Sequence, residues 1–498
     1  MYLTDLIRSA GLSESFDISE NFHSLDITGI ENDSRQIHPG QLFAALPGTR
    51  FDGTEFIASA IEAGAVAVLM EAGADLPDGV DPKKTVILKS ANIRRDVAFL
   101  AAAFYSAQPA VIIGVTGTNG KSSCVNFTRQ IWELLGYKAA SLGTIGLQQG
   151  EALVSGSLTT PDAVRLHRDI DGITRGGVTH LAVEASSHGL DQHRLDGLKL
   201  KAAGFTNLTH DHLDYHKTME NYRAAKARLF SELLPEEGTA VLNADSPEYE
   251  YYKAVCDKRK QTVLTYGYKG QVLKIVERFP HPGGQDIRLS VFGTEKDLAL
   301  PLVGEFQLMN VLCSALMALS GVEGGLDSID QVLDVLPCIK SVKGRLEQVP
   351  GHPEGAAIYV DYAHTPDALE TVLKALRPHT NARLICVVGC GGDRDRKKRP
   401  MMGEISSKLA DVVIVTDDNP RTEDPALIRQ EILNAAPGAR EIGSRGQAIE
   451  EAVGMLRSGD VLLIAGKGHE QGQIIGEEIL PFDDVEHAAQ ALKKPEKS

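Results

Sequence analysis

The chain has 498 residues, long enough for about three domains of ordinary size. With 43% hydrophobic and 24% charged residues it has the composition of a soluble globular protein, and its net charge of −16 disfavours a general nucleic-acid-binding surface. No apolar run is long enough to span a bilayer, the start MYLTDLIRSAGLSESFD lacks the basic and apolar parts of a signal peptide, and the six scattered cysteines include no CxxC pair; a cytoplasmic protein with no membrane insertion is expected.

Strand-like and helix-like stretches alternate along almost the whole chain, which predicts an α/β protein. Two breaks divide it, SAQP at 106–109 and the region around LPCIKSVKGR at 336–345. The expected domains are 1–107, 108–338 and 339–498.

Early in the second segment the apolar strand AVII runs into GVTGTNGKSS (Gly114–Ser123), followed by the helical pattern CVNFTRQIWELL. Glycines let backbone amides curl around an anion, and the helix N-terminus adds a favourable dipole. Gly117, Thr118, Asn119, Gly120, Lys121, Ser122 and Ser123 are therefore expected to hold the phosphates of a nucleotide, with Lys121 on the terminal phosphates and Ser122 on Mg²⁺. The general P-loop pattern is not met, since Val115 stands where it requires glycine.

Metal ligands for such a nucleotide belong at other strand ends. HLAVEASSH places Glu184 beyond one apolar run, and FTNLTHDHLDYH places His210, His212 and His216 after another. Three histidines also suggest zinc, although no carboxylate or thiolate pattern completes a zinc site; turn and capping roles are the simpler alternative. In the helical stretch MENYRAAKARLFSELL, Lys226 shares a face with Tyr222, Leu229 and Phe230. Spacing alone favours an apolar stem with a wet ammonium. The other reading is a desolvated amine that adds CO₂ and becomes a carbamate ligand for Mg²⁺.

The last third reads as four apolar strands, each ending in a polar loop: IYVDYAHTPD, LICVVGCGGDRD, DVVIVTDDNPR and VLLIAGKGHE. In open parallel sheets ligands sit at the carboxyl ends of strands, so these loops are expected along one edge. The basic run GDRDRKKRP (Gly392–Pro400), taken by itself, reads as a solvated loop. Turn chemistry explains the Asp, Asn and Pro of DDNPR but not its Arg421.

GVTGTNGKSS, VEASSH, NLTHDHLDYH, AAKARLF, VKGRLE, DYAHTPD and GCGGDRDRKKRP, in this order over nearly the whole chain, resemble the Mur ligase family of peptidoglycan synthesis. Gly-Lys-Ser-Ser stands where many relatives have Gly-Lys-Thr-Thr, and a hydroxyl is retained. The resemblance implies an N-terminal UDP-binding domain, a central P-loop ATPase-like domain with a parallel sheet, and a C-terminal Rossmann-like domain. It implies that Asn32, Ser34 and the segment Thr49, Arg50 and Phe51 hold the uridine portion. Thr159, Thr160, Ser186, Gln192 and Arg194 would hold the muramoyl dipeptide and diphosphate; Asn310, Arg345 and Asp361 would flank ATP. Ser122, Glu184, His212 and Lys226 as its carbamate would organise Mg²⁺, and these residues with Lys121 would form the catalytic set.

DNPR and GKGHE imply, within this family, a member that adds meso-diaminopimelate to a UDP-linked muramoyl dipeptide; the family resemblance implies a monomer. Arg421 offers a planar fork suited to the distal carboxylate of that amino acid and repels the ammonium in which L-lysine ends. Asp418 and Asn419 would take the distal ammonium, and Pro420, Arg394, Gly466 and Glu470 would complete the pocket. The expected reaction is ATP-dependent amide formation through an acyl phosphate. The rivals are a folylpolyglutamate synthetase or lysine-adding relative, an ATP-switched regulator, and a metal hydrolase built on the histidines.

Overall fold

Six residues from Val111 to Thr116 form the central strand of a parallel sheet, flanked by Leu200–Phe205 and His180–Glu184. The computed structural model describes residues 1–16, 18–48, 51–82, 84–150, 152–154 and 158–493. The chain forms two compact units, Met1–Thr265 with Cys313–Ile329, and Tyr266–Leu312 with Asp330–Ser498. Both are α/β, as the alternating pattern predicts.

In the first unit the strand order is Thr239–Asn243, Leu200–Phe205, Val111–Thr116, His180–Glu184 and Ala139–Gly143, all parallel, continued by the antiparallel Gly146–Gln149 and Ala152–Val154. A parallel sheet needs cover on both faces. One layer packs Ile112, Leu181, Val183, Ala203 and Phe205 with Leu166, Ile170, Phe230 and Tyr252. From Val111–Thr116 the chain crosses toward Ala139–Gly143; from the adjacent Leu200–Phe205 it crosses the other way, toward Thr239–Asn243. The two neighbours therefore flank a topological switch point, where a crevice opens at the carboxyl ends of the strands.

The same unit carries a smaller sheet of four parallel strands in sequence order: Gly29–Glu31, Gln41–Ala44, Ala67–Glu71 and Val86–Ser90. Helix Ile93–Phe104, capped by the Asn92 side chain, buries Val97 and Leu100 with Leu3, Leu6, Leu42 and Leu69. The opposite face packs Phe43, Val68 and Met70 on Ile57 and Ala60. Arg168 of helix Ala163–Arg175 ties this sheet to the larger one, donating to Glu31 Oε2 at 2.7 Å and to the Ile30 carbonyl at 3.0 Å.

The second unit holds a six-stranded sheet in the order Glu347–Val349, Ala357–Asp361, Val461–Ala465, Leu384–Val388, Val412–Val415 and Arg440–Glu441, with only the first strand antiparallel. Layers around Leu369, Leu373, Met402 and Ile432 on one face, and Ile449, Val453 and Leu456 on the other, enclose it. Its four long parallel strands end in Tyr362–Pro366, Gly389–Lys397, Thr416–Arg421 and Gly466–Glu470, so the four polar loops do share one edge.

Candidate functional site

The phosphate loop lies between strand Val111–Thr116 and helix Lys121–Leu134, with Gly120 as the N-terminal cap at φ 89°. The N–H groups at the start of a helix point along its axis toward the loop and are suited to an anion. Gly117 is compulsory: at φ 149°, an added Cβ would lie 1.9 Å from Thr206 Oγ1. The loop leans on the neighbouring strand end, which the sequence reading passed over. Thr118 N donates to the Asn207 carbonyl at 2.8 Å, Asn119 N to Asn207 Oδ1 at 2.9 Å, and Thr206 Oγ1 to the Asn119 carbonyl at 2.6 Å. Lys121 folds back, its ammonium donating to the carbonyls of Gly117 at 3.0 Å and Thr118 at 2.7 Å.

Lys226 sits in helix Met219–Arg228, and its side chain corrects the wet-ammonium reading. The residue is 1% exposed; Nζ donates to the Gly117 carbonyl at 2.7 Å and lies 4.4 Å from the centre of the Tyr222 ring. Burial, and then the nearby charge of Lys121, push its ammonium well below the usual lysine range. Periodicity places this lysine on an apolar face but does not reveal that a loop from far upstream closes over the head.

Glu184 ends the strand beside Val115 and is fully buried. Thr144 fixes it, donating from N to Oε1 at 2.8 Å and from Oγ1 to Oε2 at 3.2 Å. Gly143 makes room, since a Cβ there would stand 2.0 Å from Oε1. His212 is exposed at φ 51°, with its ring 5.0 Å from that of His188 and 6.1 Å from that of Tyr222. His216 is buried against Tyr222 and His188, and burial lowers its pKa; His210 is exposed. Among the described residues, no three His, Cys, Asp or Glu side chains form a metal-holding group, so the three-histidine zinc reading gains nothing from the geometry.

The residues expected to hold the muramoyl dipeptide form one connected network in the first unit. Thr144 Oγ1 lies within hydrogen-bond distance of Thr159 Oγ1 at 3.0 Å, and Thr160 Oγ1 donates to the Glu184 carbonyl at 2.8 Å and meets Ser186 Oγ at 3.0 Å. Arg194 reaches the Thr160 carbonyl at 2.6 Å and Gln192 Oε1 at 2.7 Å. Ser186 also caps the short helix Ser187–Asp191. In the smaller sheet's loops, Asn32 N donates to Glu31 Oε1 at 3.0 Å, Ser34 opens the 3₁₀ turn Ser34–Gln36, and Phe51 is 65% exposed, its ring edge-on to Phe56. Thr49 and Arg50 lie outside the described residues.

In the second unit the three residues expected around ATP are joined. Asn310 Nδ2 donates to Gln307 Oε1 at 3.2 Å, Gln307 Nε2 donates to the Arg345 carbonyl at 3.2 Å, and the Arg345 guanidinium lies 5.2 Å from the Tyr362 ring centre. Asp361 is buried and accepts from the N–H groups of Leu346 and Ala363 at 2.7 and 2.9 Å. Burial pushes its carboxyl up to about 6, against the pull of Arg345 and the two amides.

The DDNPR loop answers the question its arginine raises. Arg421 sits at φ 51°, held by Arg421 N donating to the Ile474 carbonyl at 3.0 Å and Gly476 N donating to the Arg421 carbonyl at 2.7 Å. Its NH1 reaches the Gly392 carbonyl at 2.8 Å, and among the described residues no carboxylate is in ion-pair range of it. Asp418 and Asn419 are buried; Asn419 Nδ2 donates to Glu470 Oε2 at 3.0 Å, and the Pro420 carbonyl accepts from Glu423 N at 3.1 Å. Gly466, at φ 120°, packs against Asp418, where a Cβ would meet Oδ2 at 2.8 Å. The sequence reading missed Lys467, whose fully buried ammonium donates to Asn419 Oδ1 at 2.8 Å; its place inside GKGHE was the available signal. The solvated-loop reading of Gly392–Pro400 holds for Arg394, which is exposed and donates to the Asp393 carbonyl, but not for Arg399, which is buried and ion-paired to Glu423 and Glu431.

Three family models match the chain: "Mur ligase family, catalytic domain" over 26–106, "Mur ligase middle domain" over 115–318, and "Mur ligase, glutamate ligase domain" over 344–468. The UDP-N-acetylmuramoyl-L-alanyl-D-glutamate–2,6-diaminopimelate ligase of Caulobacter vibrioides is 52% identical over 473 residues, 94% of this chain and 96% of that one. The ligase of the same name from Rhizobium meliloti is 46% identical over 495 residues, 99% of each chain. A solved structure bearing this ligase name superposes with a TM-score of 0.74 at 32% identity, covering 96% of this chain and 97% of that one. The MurF ligase of Thermotoga maritima, solved in complex with ADP, shares the fold with a TM-score of 0.58 at 18% identity, covering 93% and 96%.

Proposed function

The chain belongs to the Mur ligase family, and from that premise we propose that it joins meso-diaminopimelate to the D-glutamyl γ-carboxylate of UDP-N-acetylmuramoyl-L-alanyl-D-glutamate at the expense of ATP. Segments 1–107, 108–338 and 339–498 take the uridine portion, the nucleotide and the amino acid, respectively. The reaction belongs to peptidoglycan precursor synthesis, in the cytoplasm, with the chain acting as a monomer.

A carboxylate is a poor acylating agent at neutral pH, and phosphorylation supplies its leaving group. The glutamyl γ-carboxylate attacks the γ-phosphorus of ATP, and ADP departs. The amine at the L-centre of diaminopimelate adds to the acyl carbon and loses a proton; the tetrahedral adduct then expels inorganic phosphate. The first step brings two polyanions together, so the loop amides and Lys121 must offset their charge. Thr160, Ser186 and Arg194 orient the dipeptide beside that loop.

Two features support Mg²⁺ here. Glu184 is a buried, oriented oxygen donor, and the desolvated Lys226 favours the neutral amine that adds CO₂. Its Nζ lone pair would bond to the CO₂ carbon, a proton would leave, and the carbamate oxygens would join Ser122, Glu184 and His212 as ligands. When bound, the metal supplies further neutralisation of phosphate charge.

The observation that carries the substrate assignment is the Arg421 guanidinium, held on the Gly392 carbonyl with no carboxylate partner among the described residues, beside the Asp418–Asn419–Glu470 cluster. An amino acid panel with purified protein, ATP, Mg²⁺ and the UDP-linked dipeptide tests it. Amide product with meso-diaminopimelate and little with L-lysine is expected; ADP release without amide, or equal use of both, would overturn the assignment.

A further inference from the structure

Lys467 lies in a part of the second unit where a buried ammonium needs a reason. It is fully buried at the carboxyl end of strand Val461–Ala465, and a charge so placed is costly unless it is paired and hydrogen-bonded. Its Nζ donates to Asn419 Oδ1 at 2.8 Å and lies 3.4 Å from Glu470 Oε2 and 3.7 Å from Asp418 Oδ1. One ammonium thus joins the loop Thr416–Arg421 to the loop Gly466–Glu470.

These contacts fix which way the Asn419 amide points. Lys467 Nζ and Ile474 N, at 2.8 and 3.0 Å, are both donors, so the group facing them must be the oxygen. Nδ2 then faces Glu470 Oε2, 3.0 Å away. A flipped amide would set donors against donors and an oxygen against a carboxylate. Charge follows the same pattern. Asp418 and Glu470 with Lys467 leave one net negative charge, and Arg421, in the same loop, holds its guanidinium on the carbonyls of Gly392 and Asn419 at 2.8 and 3.4 Å. That pairing complements a zwitterionic amino acid head, whose ammonium and carboxylate differ in sign over a short distance.

We propose that Lys467 is a positioning residue for amino acid recognition: by orienting the Asn419 amide and offsetting one of the two carboxylates, it makes the pocket complementary to the zwitterionic distal centre of the diamino diacid. This rests on the substrate reading above and adds to it a residue that never touches the substrate. Without Lys467, the Asn419 oxygen keeps one donor, Ile474 N, in place of two, and Asp418 and Glu470 lose the ammonium that lies between them.

Full-length Lys467→Met and Lys467→Arg variants, compared with wild type by steady-state kinetics for each of the three substrates, test the proposal. Lys467→Met should raise KM for diaminopimelate by about tenfold or more while KM for ATP and for the UDP-linked dipeptide stays within about twofold; Lys467→Arg, which keeps the charge, should recover most of the loss. An unchanged KM for diaminopimelate, or an equal rise for all three substrates, would overturn it. Should Lys467→Met fail to fold, wild-type protein ¹⁵N-labelled at its lysine ammonium groups provides the second measurement. The resonance lost in Lys467→Arg should shift on adding diaminopimelate and not on adding ATP; a resonance that stays still overturns the proposal. A wild type that makes no product with diaminopimelate would fail the substrate reading itself, and this inference with it; an active wild type with an indifferent Lys467→Met fails the inference alone.

Discussion

Lys121 and Lys226 donate to the same atom: the carbonyl oxygen of Gly117 accepts from their ammonium groups at 3.0 and 2.7 Å. Two cations converging on one dipole repel each other, and the buried one bears the larger cost. The arrangement is relieved when Lys121 turns to phosphate or when Lys226 becomes an anion. Lys121→Ala should therefore abolish amide formation, by about 10³-fold or more, without lowering the unfolding temperature. Activity and thermal melts on the same preparation check this; normal turnover removes the phosphate role.

Lys226→Ala should also be inactive, and small added carboxylic acids should restore part of the activity by supplying the missing anionic oxygens. Rescue is read as product formed against added acid. A fully active variant that gains nothing from the acid would remove the carbamate.

The close contact of Gly143 with Glu184 makes a sharper probe than replacing Glu184 itself. Gly143→Ala leaves the carboxylate in place chemically but pushes it away from Thr144, because the new Cβ would stand 2.0 Å from Oε1. Turnover should fall by about 10²-fold and the Mg²⁺ concentration giving half-maximal rate should rise. An unchanged Mg²⁺ dependence counts against Glu184 as a metal ligand.

Arg421→Ala should cost about 10²-fold or more in kcat/KM with diaminopimelate and far less with L-lysine. Arg421→Gly adds a test of the backbone. The residue is held at φ 51°, where glycine is at ease and other residues carry strain of about 1 kcal/mol. The glycine variant should lose diaminopimelate selectivity yet melt no lower than wild type. A large drop in melting temperature would show that the guanidinium serves the fold.

His167 gives a pH dependence with a definite sign. It is fully buried, its Nε2 is 2.9 Å from the Asp196 carbonyl, and burial depresses its pKa from 6.5 to about 4. A group depressed in the folded state favours folding above its unfolded pKa and loses that contribution as pH falls toward the folded value. Stability of roughly 3 kcal/mol should drain away between about pH 6.5 and pH 4. Chemical denaturation from pH 7 to pH 4 should show this slope in wild type and a shallower one in His167→Gln.

The strand–loop–helix of the phosphate site was legible because its signals are local: an apolar run, glycines, then a helical period. The four loops at one edge were legible because each follows its own strand. What escaped was long-range. Asn207, which cradles the phosphate loop, is an unremarkable amide in FTNLTH until the sheet places its strand beside Val111–Thr116. Lys226 looked wet because spacing shows a face, not the loop that covers its tip. Arg399 looked like one more surface charge, yet it is buried because Glu423 and Glu431 come to it from loop and helix positions further along the chain. Lys467 lies inside GKGHE, but nothing local shows that its ammonium reaches across to Asn419.

The bridge between Lys467 and Asn419 would make the proposed amino acid pocket a two-part lock whose halves lie 48 positions apart in the chain. An engineer who transplants DDNPR alone into a relative without a lysine at the position of Lys467 would carry over the arginine but not the ammonium that bonds its neighbouring amide. Exchange of amino acid preference between such enzymes should therefore require both segments to travel together.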